Sequence, residues 1–135
     1  MLDVVIDTNV IISALLGGRT TQRLLTAFLE GHFNWVLSPS LLTELLEVIS
    51  RPTIQPYISK TDRDQFVHLL QADTLLIVPT RKVSVCRDPK DNIFLECAME
   101  ARVDAIITGD NDLLVLHPFR DIPIVTPRTF IKKFL

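Results

Sequence analysis

The chain has 135 residues, enough for one complete domain over 1–135 and too few for two ordinary ones. Apolar residues make up 47%, which supplies a sizeable core and excludes intrinsic disorder. Fourteen basic against sixteen acidic residues leave a net charge of −2. That balance argues against wholesale coating of a nucleic-acid duplex, but not against a nuclease whose acidic site awaits cations.

The first residues, Met1-Leu2-Asp3, have no basic start, and no cleavage site follows, so a signal peptide is not expected. No apolar run approaches the roughly 20 residues that span a bilayer. A soluble, cytoplasmic protein without a membrane partner is therefore expected. Val4-Val5-Ile6 reads as a buried strand, followed by a helix through Val10, Ile11, Ile12 and Leu15 that stops at Gly17-Gly18. A second helix covers about Thr21 to Glu30 with Leu24, Leu25, Phe28 and Leu29 on its apolar face, and Trp35-Val36-Leu37 is the next strand. Ser38 caps a helix with Pro39 in its first turn, ending near Arg51-Pro52. Asp62 to Leu70 forms another helix and Leu75 to Val78 another strand. Asp88-Pro89 opens a long helix to about Arg102. Ala105 to Thr108 is a strand, Ile122 to Val125 a weaker one placed near an edge by its proline, and Pro127 to Phe134 a final helix. Alternating strands and helices predict an α/β class. The expected architecture is a three-layer α/β/α sandwich with a mostly parallel, Rossmann-like sheet and its functional crevice beyond the strand carboxyl ends. Cys86 and Cys97 lack CxxC spacing and read as small packed side chains, with pairing left open.

Asp7 follows the first strand directly, and Asp110 and Asp112 follow Thr108-Gly109. Each of these acids has a plain reading as a helix cap. Glu44 borders the broad apolar face made by Leu41, Leu45, Val48 and Ile49, whereas Glu47 points further out. Asp91 shares an inward stripe with Phe94, Leu95 and Ala98, while Asp88 is the natural cap of that helix. A first-turn acid answers the helix dipole, but that does not explain an inward direction. Two carboxylates 4 Å apart repel by about 4 kcal/mol at an effective dielectric of about 20, so four on one rim require protons or cations. An all-oxygen set suits magnesium or manganese, and the scattered His32, His68 and His117 make zinc a poor fit. Such a metal activates water and neutralises a scissile phosphate. Thr8, Asn9 and Thr108 are candidates to orient ligands or carboxylates, with capping and turn bonding as the alternative.

Ile6-Asp7-Thr8-Asn9-Val10, Ser38-Pro39-Ser40-Leu41-Leu42-Thr43-Glu44-Leu45, Asp88-Pro89-Lys90-Asp91-Asn92 and Thr108-Gly109-Asp110-Asn111-Asp112-Leu113 together resemble, in order, the motifs of the PIN-domain ribonucleases. Within that family the chain is most similar to the VapC-like toxin components of toxin–antitoxin pairs. The resemblance implies a magnesium- or manganese-dependent endoribonuclease with an RNA substrate and an antitoxin partner. It also implies a metal site of Asp7, Glu44, Asp91 and Asp110, with Asp112 as a further acid and Thr8, Asn9 and Thr108 around it.

Arg87 and Lys90 flank the third motif and are candidate phosphate contacts, with Arg19, Arg51 and Arg128 behind them and ordinary surface charge as the default. Lys132-Lys133 read as an exposed helix end. Trp35 within a strand is more often core than a base-stacking platform, and Tyr57 is a stacking candidate. The apolar face of the second helix is either domain core, a homodimer face or an antitoxin groove. Two rivals remain. A haloacid-dehalogenase-like phosphoryl transfer would use Asp7 as nucleophile, but the second acid of that pattern is Asn9 here. The other rival is a non-catalytic nucleic-acid or protein binding module.

Overall fold

The computed structural model of the protein describes residues 1–135. Strand β1 (Asp3–Ile6) lies at the centre of a five-stranded sheet with β2 (Asn34–Leu37), β3 (Leu75–Leu76), β4 (Ala105–Ile107) and β5 (Ile124–Val125) in the order β3-β2-β1-β4-β5. Every pairing is parallel, with Val4 opposite Trp35 on one side and opposite Ala105 on the other. Consecutive strand residues point to opposite faces. Yet Val4, Val5, Ile6 and Ala105, Ile106, Ile107 are all at most 3% exposed, so both faces are covered by helices, as in other parallel sheets.

The cover consists of α1 (Thr8–Leu15), α2 (Arg19–Leu29), α3 (Pro39–Ile49), α4 (Lys60–Asp73), α5 (Asn92–Ala101), the short α6 (Asn111–Leu114) and α7 (Pro127–Phe134). The helices start where the side chains allow it. Ser38 Oγ accepts from Leu41 N at 3.2 Å ahead of Pro39, and Thr126 Oγ1 accepts from Thr129 N at 3.2 Å ahead of Pro127. Gly17, at φ +100°, supplies the left-handed turn after α1. An aromatic cluster joins the helices to β2. Trp35 meets Phe28 edge-on at 5.6 Å, and Phe33 meets Phe130 edge-on at 5.4 Å. Trp35 is therefore core, Leu24 and Phe28 of α2 are buried within the domain, and Leu29 stays 60% exposed. Cys86 and Cys97 are free thiols.

Besides a last strand that forms only over Ile124–Val125 instead of Ile122–Val125, the structure departs from the sequence expectation at three places. The expected strand over Leu75–Val78 is paired only at Leu75–Leu76, where the two side chains are 46% and 58% exposed at the sheet edge. The expected long helix from Asp88 begins instead as a 3-10 turn over Pro89–Asp91, with Asp88 Oδ1 accepting from Lys90 N at 3.0 Å. Helix α4 starts at Lys60, two residues before the expected Asp62, because Ser59 Oγ accepts from Asp62 N at 3.0 Å and caps it.

The first two departures share a cause. Beyond β3 the chain runs back along α5 as a strap. Thr80 N, Val83 N and Cys86 N donate to Glu100 Oε1 at 2.7 Å, Glu96 Oε2 at 2.9 Å and Asn92 Oδ1 at 3.0 Å. Donors three residues apart thus meet acceptors four apart, one rung per helical turn. The strap takes residues from the sheet edge and delivers Asp88 to Asp91 to the end of α5. Glu96 is buried, so Glu96→Ala leaves the Val83 N–H without its acceptor. It is expected to cost about 1–3 kcal/mol in urea unfolding and to speed amide exchange between residues 80 and 86 while leaving the sheet protected.

Candidate metal centre

From β1 the chain moves outward through β2 to β3, then crosses to β4 on the other side of β1. Between β1 and β4 the strand order reverses, and there the connections diverge and leave a crevice at the carboxyl ends. Asp7 and Asp110 lie at that point.

Asp7 is 5% exposed. Its backbone N–H continues the ladder to Ile107 O at 2.9 Å. Its side chain caps α1, with Oδ1 accepting from Asn9 N at 3.0 Å, while Oδ2 accepts from Thr108 Oγ1 at 2.7 Å. Thr108 Oγ1 in turn accepts from Asp110 N at 3.0 Å, and Asp110 Oδ1 accepts from Asp112 N at 2.9 Å to cap α6. Capping and convergence are therefore not alternatives: the caps of α1 and α6 are the acids on the rim. Burial raises the pKa of Asp7, the bonds from Thr108 and Asn9 oppose that rise, and the charge of Asp110 adds to it.

Glu44 comes from α3, half-buried at the border of the Leu41–Leu45–Val48 face. Its Oε2 is buried with no hydrogen-bond partner. Burial and then the charge of Asp7 raise its pKa, with a bond from Thr8 acting in the other direction. Asp91, at the end of the 3-10 turn, is half-buried and pushed up to about 6 by burial and then by Asp110, Asp88 and Asp7. Carboxylate oxygens of Asp91, Asp110 and Asp112 all lie within 4.8 Å of one another. Asp7 stands beside this triad, close enough for its charge to act on Asp91, and Glu44 in turn lies within reach of the Asp7 charge.

The remaining sequence candidates fall at the margins. Arg87 is exposed, with Nη1 3.8 Å from Asp112 Oδ1. Lys90 is exposed, and its backbone N–H bonds to Asp88. Asn9 holds Asp7 through its main-chain N–H, not through the carboxamide that its residue type advertised. His117 Nδ1 accepts from Ile124 N and so belongs to the β5 loop. Tyr57 is exposed on the segment between α3 and α4. A cleft of about 560 Å³ opens at Asp7 and Asp110, bounded also by Asn9, Ser13, Thr21 and Pro127. Ser13 and Thr21, hydrogen-bonded to each other at 3.1 Å, were not anticipated. The signal for Ser13 was there, because Asn9 and Ser13 form a polar stripe at i, i+4 on an otherwise apolar α1.

This donor set fits a hard divalent cation. It is all oxygen, it includes a buried carboxylate atom with nothing bonded to it, and it brings several acids together with Arg87 as the one basic side chain in ion-pair range. A family model described as the PIN domain matches residues 3–112. The chain belongs to the PIN-domain family. PIN domains are typically nucleases and use divalent metals, so the family expected from the four acidic motifs is correct. An uncharacterized protein of Methanocaldococcus jannaschii is 33% identical over 144 aligned residues, which span 98% of this chain and 92% of that protein. The PIN fold here is similar to VapBC2 from Rickettsia felis, solved bound to a DNA fragment of its promoter. That likeness has a TM-score of 0.61 at 10% identity, covering 93% of this chain and 98% of the other. It is also similar to the PIN domain endonuclease Utp24, at TM-score 0.54 and 18% identity, covering 92% and 84%. At those identities the likeness is one of fold.

Asp7, Glu44 and Asp91 all hold protons more tightly in the folded chain than in the unfolded one. The folded state then binds more protons above the ordinary carboxylate range, and its stability falls as pH rises. Metal-free protein is expected to lose stability between about pH 4 and pH 6, the interval between the unfolded value of Asp91 and its folded value. Thermal melts across that range check this. Asp91→Asn should flatten the slope, and added magnesium should restore the stability lost.

Proposed function

We propose that residues 1–135 act as one PIN nuclease domain that hydrolyses RNA endonucleolytically, with magnesium or manganese held by Asp7, Glu44, Asp91, Asp110 and Asp112. The observation that carries this reading is the cluster of Asp91, Asp110 and Asp112 beside the buried Asp7 at the β1/β4 crevice, with the carboxyl pKa values of Asp7, Glu44 and Asp91 raised. The nuclease character of the family supports phosphodiester hydrolysis, and the resemblance of the acidic motifs to PIN-domain ribonucleases supports RNA as the substrate.

The divalent cation supplies charge neutralisation at the scissile phosphate and acidifies water. The chain supplies the geometry. Thr108 and the Asn9 N–H fix both oxygens of Asp7, so this ligand cannot rotate away from the crevice. The Thr108 hydroxyl also holds the Asp110 backbone, which fixes the two acids at the strand ends relative to each other. Thr8 orients Glu44. Asp91 keeps its proton up to about pH 6, so a cation held there would displace it, and metal uptake near that pH would be accompanied by acid release. Arg87 and Lys90 stand at the rim, where an exposed guanidinium and an ammonium can take the phosphates beside the cut.

The fold likeness to VapBC2 supports a place in a toxin–antitoxin pair with a protein antitoxin as partner; a homodimer and a cytoplasmic location complete the proposal. No helix is long and apolar enough to cross a membrane. Purified protein is expected to cleave RNA only with magnesium or manganese, to stop on addition of chelator, and to lose cleavage in Asp7→Asn and Glu44→Gln variants that keep the native circular dichroism spectrum. Thr108→Val, which removes only the ligand's support, should reduce metal affinity or activity by about 10–100-fold. Cleavage that persists in Asp7→Asn would remove the assignment. For the toxin role, induced expression should arrest bacterial growth and a neighbouring gene product should relieve it. Unimpeded growth would point to a housekeeping nuclease instead.

A further inference from the structure

Helices α2 and α7 carry an unusual charge. Their sequences contain Arg19, Arg23, Arg128, Lys132 and Lys133 and no acidic residue, although the chain as a whole is net negative. The rest of the molecule is therefore strongly acidic and this face is its cationic counterpart. Two of these cations stand where helix electrostatics disfavour them. Arg19 is the first residue of α2 and Arg128 the second of α7, and neither first turn has an acid to offset the positive end of the dipole. None of the five cations has a carboxylate within ion-pair distance. The groove between the two helices, about 720 Å³, runs past Arg19 and Arg23 to Ile131, and a second hollow of about 470 Å³ continues it along Arg128 and Lys132. One acid, Glu30, lies at its wall and faces His32 at 3.6 Å.

The groove adjoins the metal cleft. Thr20 lines the groove and Thr21 the cleft; Arg128 lines the groove and Pro127 the cleft. An anion lying along α2 and α7 therefore arrives at Asp7 and Asp110. We propose that this groove is a phosphate track for single-stranded RNA, holding the substrate on one side of the cut through Arg19, Arg23, Arg128 and Lys132. The choice of RNA rests on the nuclease reading given above; the cationic track itself does not. A single strand fits better than a duplex, because the acidic remainder of the molecule repels a second backbone. An amphipathic protein segment fits poorly, because the lining offers only Ala27, Ile131 and Leu135 as apolar anchors. The track also extends, away from the cluster of carboxylates, the hold on a polyanion that Arg87 and Lys90 begin at the rim.

The test is fluorescence anisotropy of a labelled 20-nucleotide single-stranded RNA in chelator, where no cleavage occurs, at several salt concentrations. Wild-type protein should bind. The Arg23→Ala/Lys132→Ala variant should bind at least about tenfold more weakly, with the slope of log affinity against log salt reduced by about 1.4, the loss of two phosphate contacts on a single strand. Lys60→Ala/Arg81→Ala, which removes the same charge elsewhere, should change neither. With magnesium, the groove variant should show a raised KM on long RNA at unchanged kcat. The track is refuted if wild type does not bind, if both variant pairs weaken binding alike, or if the groove variant loses affinity for duplex DNA or an acidic peptide and not for the single strand. A protein that binds RNA through this groove yet never cleaves it would sink the nuclease reading and leave the track standing.

Discussion

The hydrogen bond from Thr108 Oγ1 to Asp7 Oδ2, 2.7 Å long and buried, ties together residues that are 101 apart in sequence at the ends of the two strands flanking the switch point. A carboxylate in that position has lost nearly all its water, and an unsatisfied buried charge is among the costliest features a fold can contain. The threonine hydroxyl and the Asn9 N–H replace the lost solvation. The same hydroxyl then accepts from Asp110 N, so a single oxygen sets the separation of two acids. Without that bridge the register of β1 against β4 would still exist, but the acids at the strand ends would have no fixed relation.

The second constraint is repulsion. Burial and like charge raise the carboxyl pKa values of Asp7, Glu44 and Asp91, which means that the native arrangement works against the protein's own stability at neutral pH. The core opposes this with a continuous cluster of 30 buried apolar residues running through every layer. Concentrating unfavourable charge at one rim while the rest of the molecule is well packed is the general pattern of sites that await a ligand.

Much of this was legible in the residues. The strand–helix alternation specifies a parallel sheet, and Asp7 and Asp110 sit directly after apolar runs, so their place on the rim follows from topology alone. The inward stripe of Asp91, Phe94, Leu95 and Ala98 also reads correctly for its apolar members, all of which are buried. Asp91 itself lies one step before the α-helix, in the 3-10 turn, because Asp88 and Pro89 close a tight turn that periodicity cannot distinguish from a helix start. Other features were not legible. Residues 79–88 have no periodicity to read, since their order comes from Asn92, Glu96 and Glu100 on a helix further along the chain. The four-residue α6 is too short to show a pattern. The grouping of Arg19 and Arg23 with Arg128 and Lys132 depends on α2 and α7 being neighbours in space, which a linear reading does not reveal.

The edges of the sheet carry a consequence of their own. Both border strands, β3 and β5, are two residues long, and Pro123 offers only a carbonyl to β4, accepting from Ile106 N at 2.9 Å. A border that brief gives an incoming chain almost no main-chain template to copy. Self-association by strand addition, and the fibrillar aggregation that follows from it, are thereby disfavoured, which leaves the helical faces as the broader surfaces for assembly.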